Sequence, residues 1–291
     1  MDTLVAAWRV VSGPAWGGAT IFRICVLCTA VLIMHGLPPL ARAAAAQIDY
    51  RNLDDDRPVT TEDAYPVERY AFELILPYRF EGDADGADLH VTVPELTYGL
   101  LPNTQVGLKA PIAVVTESGN AETGLAGLGL FTLYNFNTEG RRLPALSLRG
   151  DLSLPVGALG GDVARFTMKA IATRSWGATR AHVNAAWSAG GNGALAAAEP
   201  AARWSASLAV DRIFIRRSLL VIGEVAASET LRGAPTEVNA ALGLRWQWSP
   251  TLVLDAGILR RLRDDVGPAI GLTVGLSHAF AVLGLMPSRR Y

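Results

Sequence analysis

Between Val238 and Phe280 the chain twice repeats a two-residue pattern. Val238, Ala240, Leu242, Leu244, Trp246 and Trp248 alternate with Asn239, Ala241, Gly243, Arg245 and Gln247. After Ser249-Pro250 the pattern returns as Ile270, Leu272, Val274, Leu276 and Phe280 against Gly271, Thr273, Gly275, Ser277 and Ala279. A period of two places successive side chains on opposite faces of a strand. Each run is about 10 residues long, the length a tilted strand needs to cross a bilayer. This predicts strands with one apolar and one polar face, and raises a transmembrane β-barrel as the fold to test.

Composition fits that fold. Of 291 residues 50% are hydrophobic and only 18% charged, against about 25% charged in soluble domains. The net charge of -1 and the lack of a Lys/Arg cluster give nucleic acid no basic face to bind. Arg23, the apolar run Ile24 to Met34 and the small residues Ala41 to Ala46 read as a signal peptide over residues 1–46. Both cysteines, Cys25 and Cys28, fall inside it. The mature chain is therefore expected to have no disulfide, no thiol nucleophile and no sulfur metal site. No apolar run after Ala46 is long enough for a transmembrane helix.

Twelve strand-like segments follow, from Arg69 to Phe80 through to Ala269 to Phe280, and an even count is the rule for single-chain bacterial barrels. The links alternate in character. Long, Gly- or Asp-rich stretches (Glu81 to Asp88, Thr116 to Leu125, Val156 to Ala164, Ala189 to Ala202, Ser228 to Thr236, Leu262 to Pro268) follow the odd segments, whereas mostly tight turns such as Ser249-Pro250 follow the even ones. Short periplasmic turns and long outer loops are the outer-membrane arrangement, which puts both termini in the periplasm. The expected organisation is a periplasmic arm over residues 47–68, a closed antiparallel all-β barrel over residues 69–280 and a tail over residues 281–291.

Register then assigns faces. Leu74, Leu76, Leu130, Leu152, Leu208, Leu254 and Ile258 fall on the lipid side, and aromatics such as Tyr78, Tyr134, Trp187, Trp204 and Trp246 gather near strand ends, as an interfacial girdle requires. Glu73, Lys109, Arg149, Asp151, Lys169, Asp211, Glu224, Arg245 and Asp255 fall inward. A cation on the lipid face would cost about 2 to 4 kcal/mol at mid-bilayer. Near-balanced charge predicts cross-strand ion pairs in the lumen more than a selectivity ring of one sign.

Asp54-Asp55-Asp56, with Glu62 and Asp63, makes the segment before the first strand acidic. It reads either as a solvated periplasmic arm or as a plug folded into the barrel mouth. Glu81, Asp83, Asp85 and Asp88 form a hydrated outer loop that offers oxygen ligands to cations. His90, His182 and His278 lie on separate strands without metal-site spacing, and read as interfacial or loop-facing residues. Ser277 and His278 are strand neighbours facing opposite ways, so they cannot pair as nucleophile and base, and no G-x-S-x-G elbow is present. Neither an enzyme nor a cofactor is expected.

Several segments resemble the outer-membrane family known as "MetA pathway of phenol degradation". They are Arg57-Pro58-Val59-Thr60-Thr61-Glu62-Asp63-Ala64, Tyr98-Gly99-Leu100-Leu101-Pro102-Asn103-Thr104-Gln105, Leu125-Ala126-Gly127-Leu128-Gly129-Leu130, Leu154-Pro155-Val156-Gly157 and Trp248-Ser249-Pro250-Thr251-Leu252. The glycine that usually precedes the first strand and the Asp of the G-L-G-D-L motif are absent here. The resemblance implies an outer-membrane channel or transporter for small molecules, hydrophobic or aromatic ones among them, and supplies no catalytic residues. The expected partners are outer-membrane lipid, lipopolysaccharide and the solute, for a monomer. A twelve-stranded bore is intermediate between a filled and an open one, which favours a specific or gated path. The alternatives are a non-conducting structural or adhesion barrel and a barrel lipid hydrolase.

Overall fold

The computed structural model describes residues 48–82, 87–117, 120–190, 202–214, 218–230, 235–263 and 267–286. The expected signal peptide, Asp83, Asp85 and the end of the tail lie outside them.

Fifteen β segments form one antiparallel sheet. They are β1 (Ala71–Gly82), β2 (Asp88–Thr92), β3 (Glu95–Leu101), β4 (Thr104–Lys109), β5 (Ile112–Glu117), β6 (Asn120–Leu125), β7 (Leu128–Asn137) and β8 (Ala145–Leu154). The second half contains β9 (Arg165–Trp176), β10 (Thr179–Gly190), β11 (Ala202–Phe214), β12 (Leu219–Thr230), β13 (Glu237–Ser249), β14 (Leu252–Arg261) and β15 (Ile270–Ala281). β1 pairs with β15 from Ala71↔Ala281 to Gly82↔Ile270, which closes the sheet.

Three staves are each broken into two segments. β1 pairs with both β2 and β3, so these are one stave interrupted at Val93-Pro94. β4 and β5 are likewise divided at Ala110-Pro111, and β6 and β7 at Ala126-Gly127. Proline has no N–H to give a ladder, and Gly127 at φ 113° takes a backbone that L side chains rarely adopt. Counting each broken pair once leaves a closed barrel of twelve antiparallel strands. Beyond the breaks β2, β5 and β6 lean together over a small core of Val91, Ala113, Ala126 and Leu159. Thr116 to Leu125, expected as a loop, is therefore mostly a paired hairpin. Apolar side chains of β2 and β5 supply the packing that its Thr- and Gly-rich composition does not advertise.

The wall is apolar outside, and inside it combines charged and polar side chains with apolar patches such as Leu220, Ile222 and Val253. On β13 Leu242 is 64% exposed on the outer face, whereas Arg245 is fully buried on the inner one. Trp246 and Trp248 meet edge to face at 4.9 Å near the short-turn end of that strand. At the closing seam Phe72 stacks between Tyr98, 4.5 Å away, and Phe280, 5.3 Å away. The last barrel strand is thus clamped to the first by aromatic faces as well as by the ladder.

Each aromatic pair is worth about 0.5 to 1.5 kcal/mol beyond the area it buries. Phe72→Ala is expected to destabilise the barrel by about 2 kcal/mol, seen as an earlier midpoint in denaturant unfolding from lipid vesicles. An unchanged midpoint would remove the seam from the account of closure.

Candidate functional site

Residues 48–70 run inside the barrel, mostly buried or half-buried, with Asp49, Asp56, Glu68 and Arg69 exposed. Ile48 enters at a short-turn end, donating its N–H to the Pro250 carbonyl at 3.0 Å while its own carbonyl accepts from Gln247. The arm bonds itself at Asn52 to Asp49, Arg57 to Asp54 and Asp63 to Leu53, but its extended stretch from Pro58 onward leaves most of its backbone groups to find partners elsewhere, and each buried N–H or C=O left alone is costly. The barrel supplies the partners, almost strand by strand.

The Pro58 carbonyl accepts from Thr273 on β15. The Thr60 and Thr61 amides donate to the Glu224 carboxylate on β12 at 3.1 and 2.6 Å, and the Thr61 hydroxyl donates to Ser207 on β11. Asn184 on β10 bonds Glu62 twice, accepting from its N–H and donating to its carbonyl, both at 2.8 Å. Ala64 gives its N–H to Thr173 on β9, and its carbonyl accepts from Ser147 on β8 and Asn135 on β7. Gln105 on β4 accepts from the Val67 amide, and the Tyr70 amide donates to the Gly99 carbonyl on β3. The arm is a belt laid along the inner wall.

Two glycines make room for it. A β-carbon at Gly257 would collide with the Pro58 carbonyl, and one at Gly243 would lie 2.7 Å from the Pro58 ring. These residues face each other across β13 and β14.

At the middle of the barrel the acidic triplet spreads to different walls. Asp54 pairs with Arg245 at 2.8 Å and with Arg57 at 2.6 Å. Asp55 pairs with Lys109 at 2.8 Å, with Arg149 at 3.4 Å and with Lys169. Asp56, at φ 62°, reaches Arg79 at 3.7 Å. Arg57 turns back to Asp255 at 2.5 Å and to the Ser277 hydroxyl. Three consecutive carboxylates thus brace three sides of the lumen.

All nine residues that the register placed inward are accounted for. Lys109, Arg149 and Lys169 converge on Asp55, and Arg149 also holds Glu62 at 2.7 Å and Asp151 at 2.8 Å. Asp255 meets Arg57, Glu224 meets the Thr60 and Thr61 amides, and Arg245 meets Asp54. Asp211 receives Arg180 at 2.6 Å, and buried Glu73 lies near Asp54, Arg245 and Arg57. Cross-strand pairs account for Asp211 with Arg180 and for Lys109 with Glu95 at 3.7 Å. Otherwise the wall charges mostly answer the arm, which a count of strand residues alone could not reveal.

Sequence reasoning missed Arg57, Arg180, Asn135 and Asn184, and misplaced His182. Far from an interface, His182 is fully buried, with Nε2 at 2.9 Å from Asp211 and Nδ1 at 3.0 Å from the Thr173 hydroxyl. Parity offers the signal: Arg180, His182 and Asn184 share a face, opposite Asp211, Ala209 and Ser207 on β11. Ser277 points inward to Arg57, and neighbouring His278 stacks outside on Phe280.

The arm carboxylates respond differently to their surroundings. Burial opposes the ionisation of Asp55, but Lys109, Lys169 and Arg149 overcome it and hold the carboxyl well below the ordinary value. Burial pushes Glu62 up to about 7, against the attraction of Arg149 and Lys169.

No protein-family model matches the chain, and no curated protein matches its sequence. Solved structures share its fold. The COG4313 outer membrane channel from Pseudomonas putida F1 superposes with a TM-score of 0.56 at 15% identity, over 79% of this chain and 100% of that one. The KdgM porin in complex with disordered oligogalacturonate gives a TM-score of 0.49 at 12% identity, over 71% of this chain and 99% of that one. The first of these superpositions supports the closed antiparallel barrel fold.

Docking of the arm is predicted to be pH-dependent. The docked Glu62 value lies above its ordinary 4.5, so its stabilising contribution is full below that value and is lost as pH rises through about 7. Asp55, held low, does not titrate in that window. With Cys25 and Cys28 replaced by serine, a thiol introduced by Thr61→Cys should be labelled at least about tenfold faster at pH 8 than at pH 5, relative to an exposed control cysteine. Glu62→Gln should flatten the dependence, and a step that survives it would assign the titration elsewhere. Gly257→Val should raise labelling at both pH values by pushing Pro58 off the wall.

Proposed function

We propose that the protein is an outer-membrane channel whose lumen is closed by its own arm, and that it admits small molecules when the arm shifts. The observation that carries this reading is the nature of the arm's anchoring. Between Asp54 and Val67 its backbone is held by side-chain oxygens and amides of separate strands and its charges by the inner wall, while Ile48, Tyr50, Leu53 and Val59 pack on an apolar patch of the wall that includes Leu220, Ile222 and Val253. Hydrogen bonds of this kind exchange with water or solute at modest net cost, and the partly exposed Lys109–Asp55 and Lys169–Asp55 pairs open more readily than the buried Arg57–Asp255 pair.

The exposed apolar exterior supports a membrane location. Leu242, Val274, Val225, Leu208 and Ile258 are each at least 46% exposed, an arrangement that hydrocarbon rewards and water does not. Ile48 and the Pro250 turn share the short-turn end, which under the short-turn rule is the periplasmic side. The resemblance to the MetA phenol-degradation family favours hydrophobic or aromatic solutes, with lipid and lipopolysaccharide around a monomer.

The density of arm contacts also favours a second reading, a permanently sealed structural barrel. Planar-bilayer recording separates the two. Native protein is expected to give small, infrequent openings, and Arg57→Gln, which removes the link to Asp255 and Asp54, should raise open time by about tenfold. A silent native channel together with a silent Arg57→Gln variant of normal heat-modifiable migration would establish the sealed barrel instead.

A further inference from the structure

Three cations of the inner wall form a cluster that the arm only borrows. Lys109 on β4, Arg149 on β8 and Lys169 on β9 point to one place. The buried acids Asp211, Glu224, Asp255 and Glu73 lie on other strands, β11, β12, β14 and β1, interleaved with Arg180 and Arg245.

Among the described residues, the wall carboxylates paired with the three cations are Asp151, with Arg149, and Glu95, with Lys109. The arm contributes Asp55 and Glu62. Without the arm, the wall of that sector would hold an excess of cations.

Three observations mark the cluster as a place where a carboxylate binds. The first is that one does: Asp55 is a carboxylate borne on a separate segment, and it contacts all three cations at once. The second is rigidity. The Arg149 guanidinium lies 3.9 Å from the centre of the Phe131 ring and the Lys109 ammonium 5.2 Å from it. Gly107 lets that ring lie against the wall, since a β-carbon there would collide with it. A cation–π contact helps to hold Arg149 and Lys109 in place when the anion leaves. The third is access. The side chains of Lys109, Lys169 and Asp55 are 17%, 12% and 13% exposed, whereas those of the Arg57–Asp255 pair are 2% and 0% exposed. Water still reaches the two lysines and Asp55, with the Arg149 side chain, 1% exposed, behind them, but it does not reach the structural pair.

We propose that Lys109, Arg149 and Lys169 form the channel's binding site for a small carboxylate-bearing solute, and that Asp55 occupies it in the closed state as a built-in competitor. The proposal rests on the channel reading above and names a substrate class for it. An incoming carboxylate would exchange with Asp55 and loosen the acidic triplet, so arrival of the solute and release of the arm become one event. An internal competitor lowers the apparent affinity for solute by the fraction of time that it leaves the site empty.

Calorimetry on the full chain in detergent, with benzoate as probe and benzyl alcohol as its uncharged counterpart, tests this. Asp55→Asn should raise benzoate affinity by at least about tenfold, and Lys169→Gln added to it should take most of that gain away. Lys169→Gln in the otherwise native chain, expected to weaken benzoate binding by a similar factor, is a second route if the double variant does not assemble. Benzyl alcohol should follow neither change. Equal benzoate affinity in the native and Asp55→Asn proteins, or equal responses of the two probes, overturns the site. The channel reading fails differently: benzoate binding with the expected shifts, but no current through the native or Asp55→Asn protein in planar bilayers, would leave the site and sink conduction.

Discussion

An extended segment buried in a tube must find a partner for every backbone group, and the inner face of this barrel is built to provide them. Thr273, Glu224, Asn184, Thr173, Ser147, Asn135 and Gln105 each bond the arm's main chain. Remove the belt, and those side chains would need water in its place. The wall and the arm therefore form a single hydrogen-bonded object, and the charges of the lumen make sense only when both are considered.

Charge placement follows the same logic. Arg57 and Asp255, both shielded from solvent, would each be costly alone, and they satisfy one another across 198 residues of sequence. Arg180 bridges Asp63 of the arm and Asp211 of the wall, at 3.1 and 2.6 Å. Such pairs set the position of the arm rather than adding much to stability, since the desolvation of each ion offsets much of the attraction.

The barrel was legible in the sequence because its signal is local. Alternation along β13 and β15 reports which face each residue takes, and the Phe72 to Phe280 contact joins the first and last segments read that way. Pro94, Pro111 and Gly127 were visible as residues, but not the fact that they split staves without ending them. That depends on β1 running unbroken beside β2 and β3. The arm was harder. Its acidity fits solvent as well as a lumen, and its partners lie on many separate strands, at separations such as 38 residues for Gln105 and 220 for Ser277. His182 shows the same limit: its inward face was readable, but Asp211 and Thr173 meet it only after β9, β10 and β11 align.

The anchors of Arg57 carry a consequence for how the molecule is made. Asp255 and Ser277 lie on β14 and β15, the last strands to leave the ribosome, whereas Arg57 precedes the first. The arm cannot complete its contacts until the final strand has joined the ring. Its seating therefore reports that the ring is whole: a barrel short of one stave would leave a guanidinium without its acid in a half-formed tube.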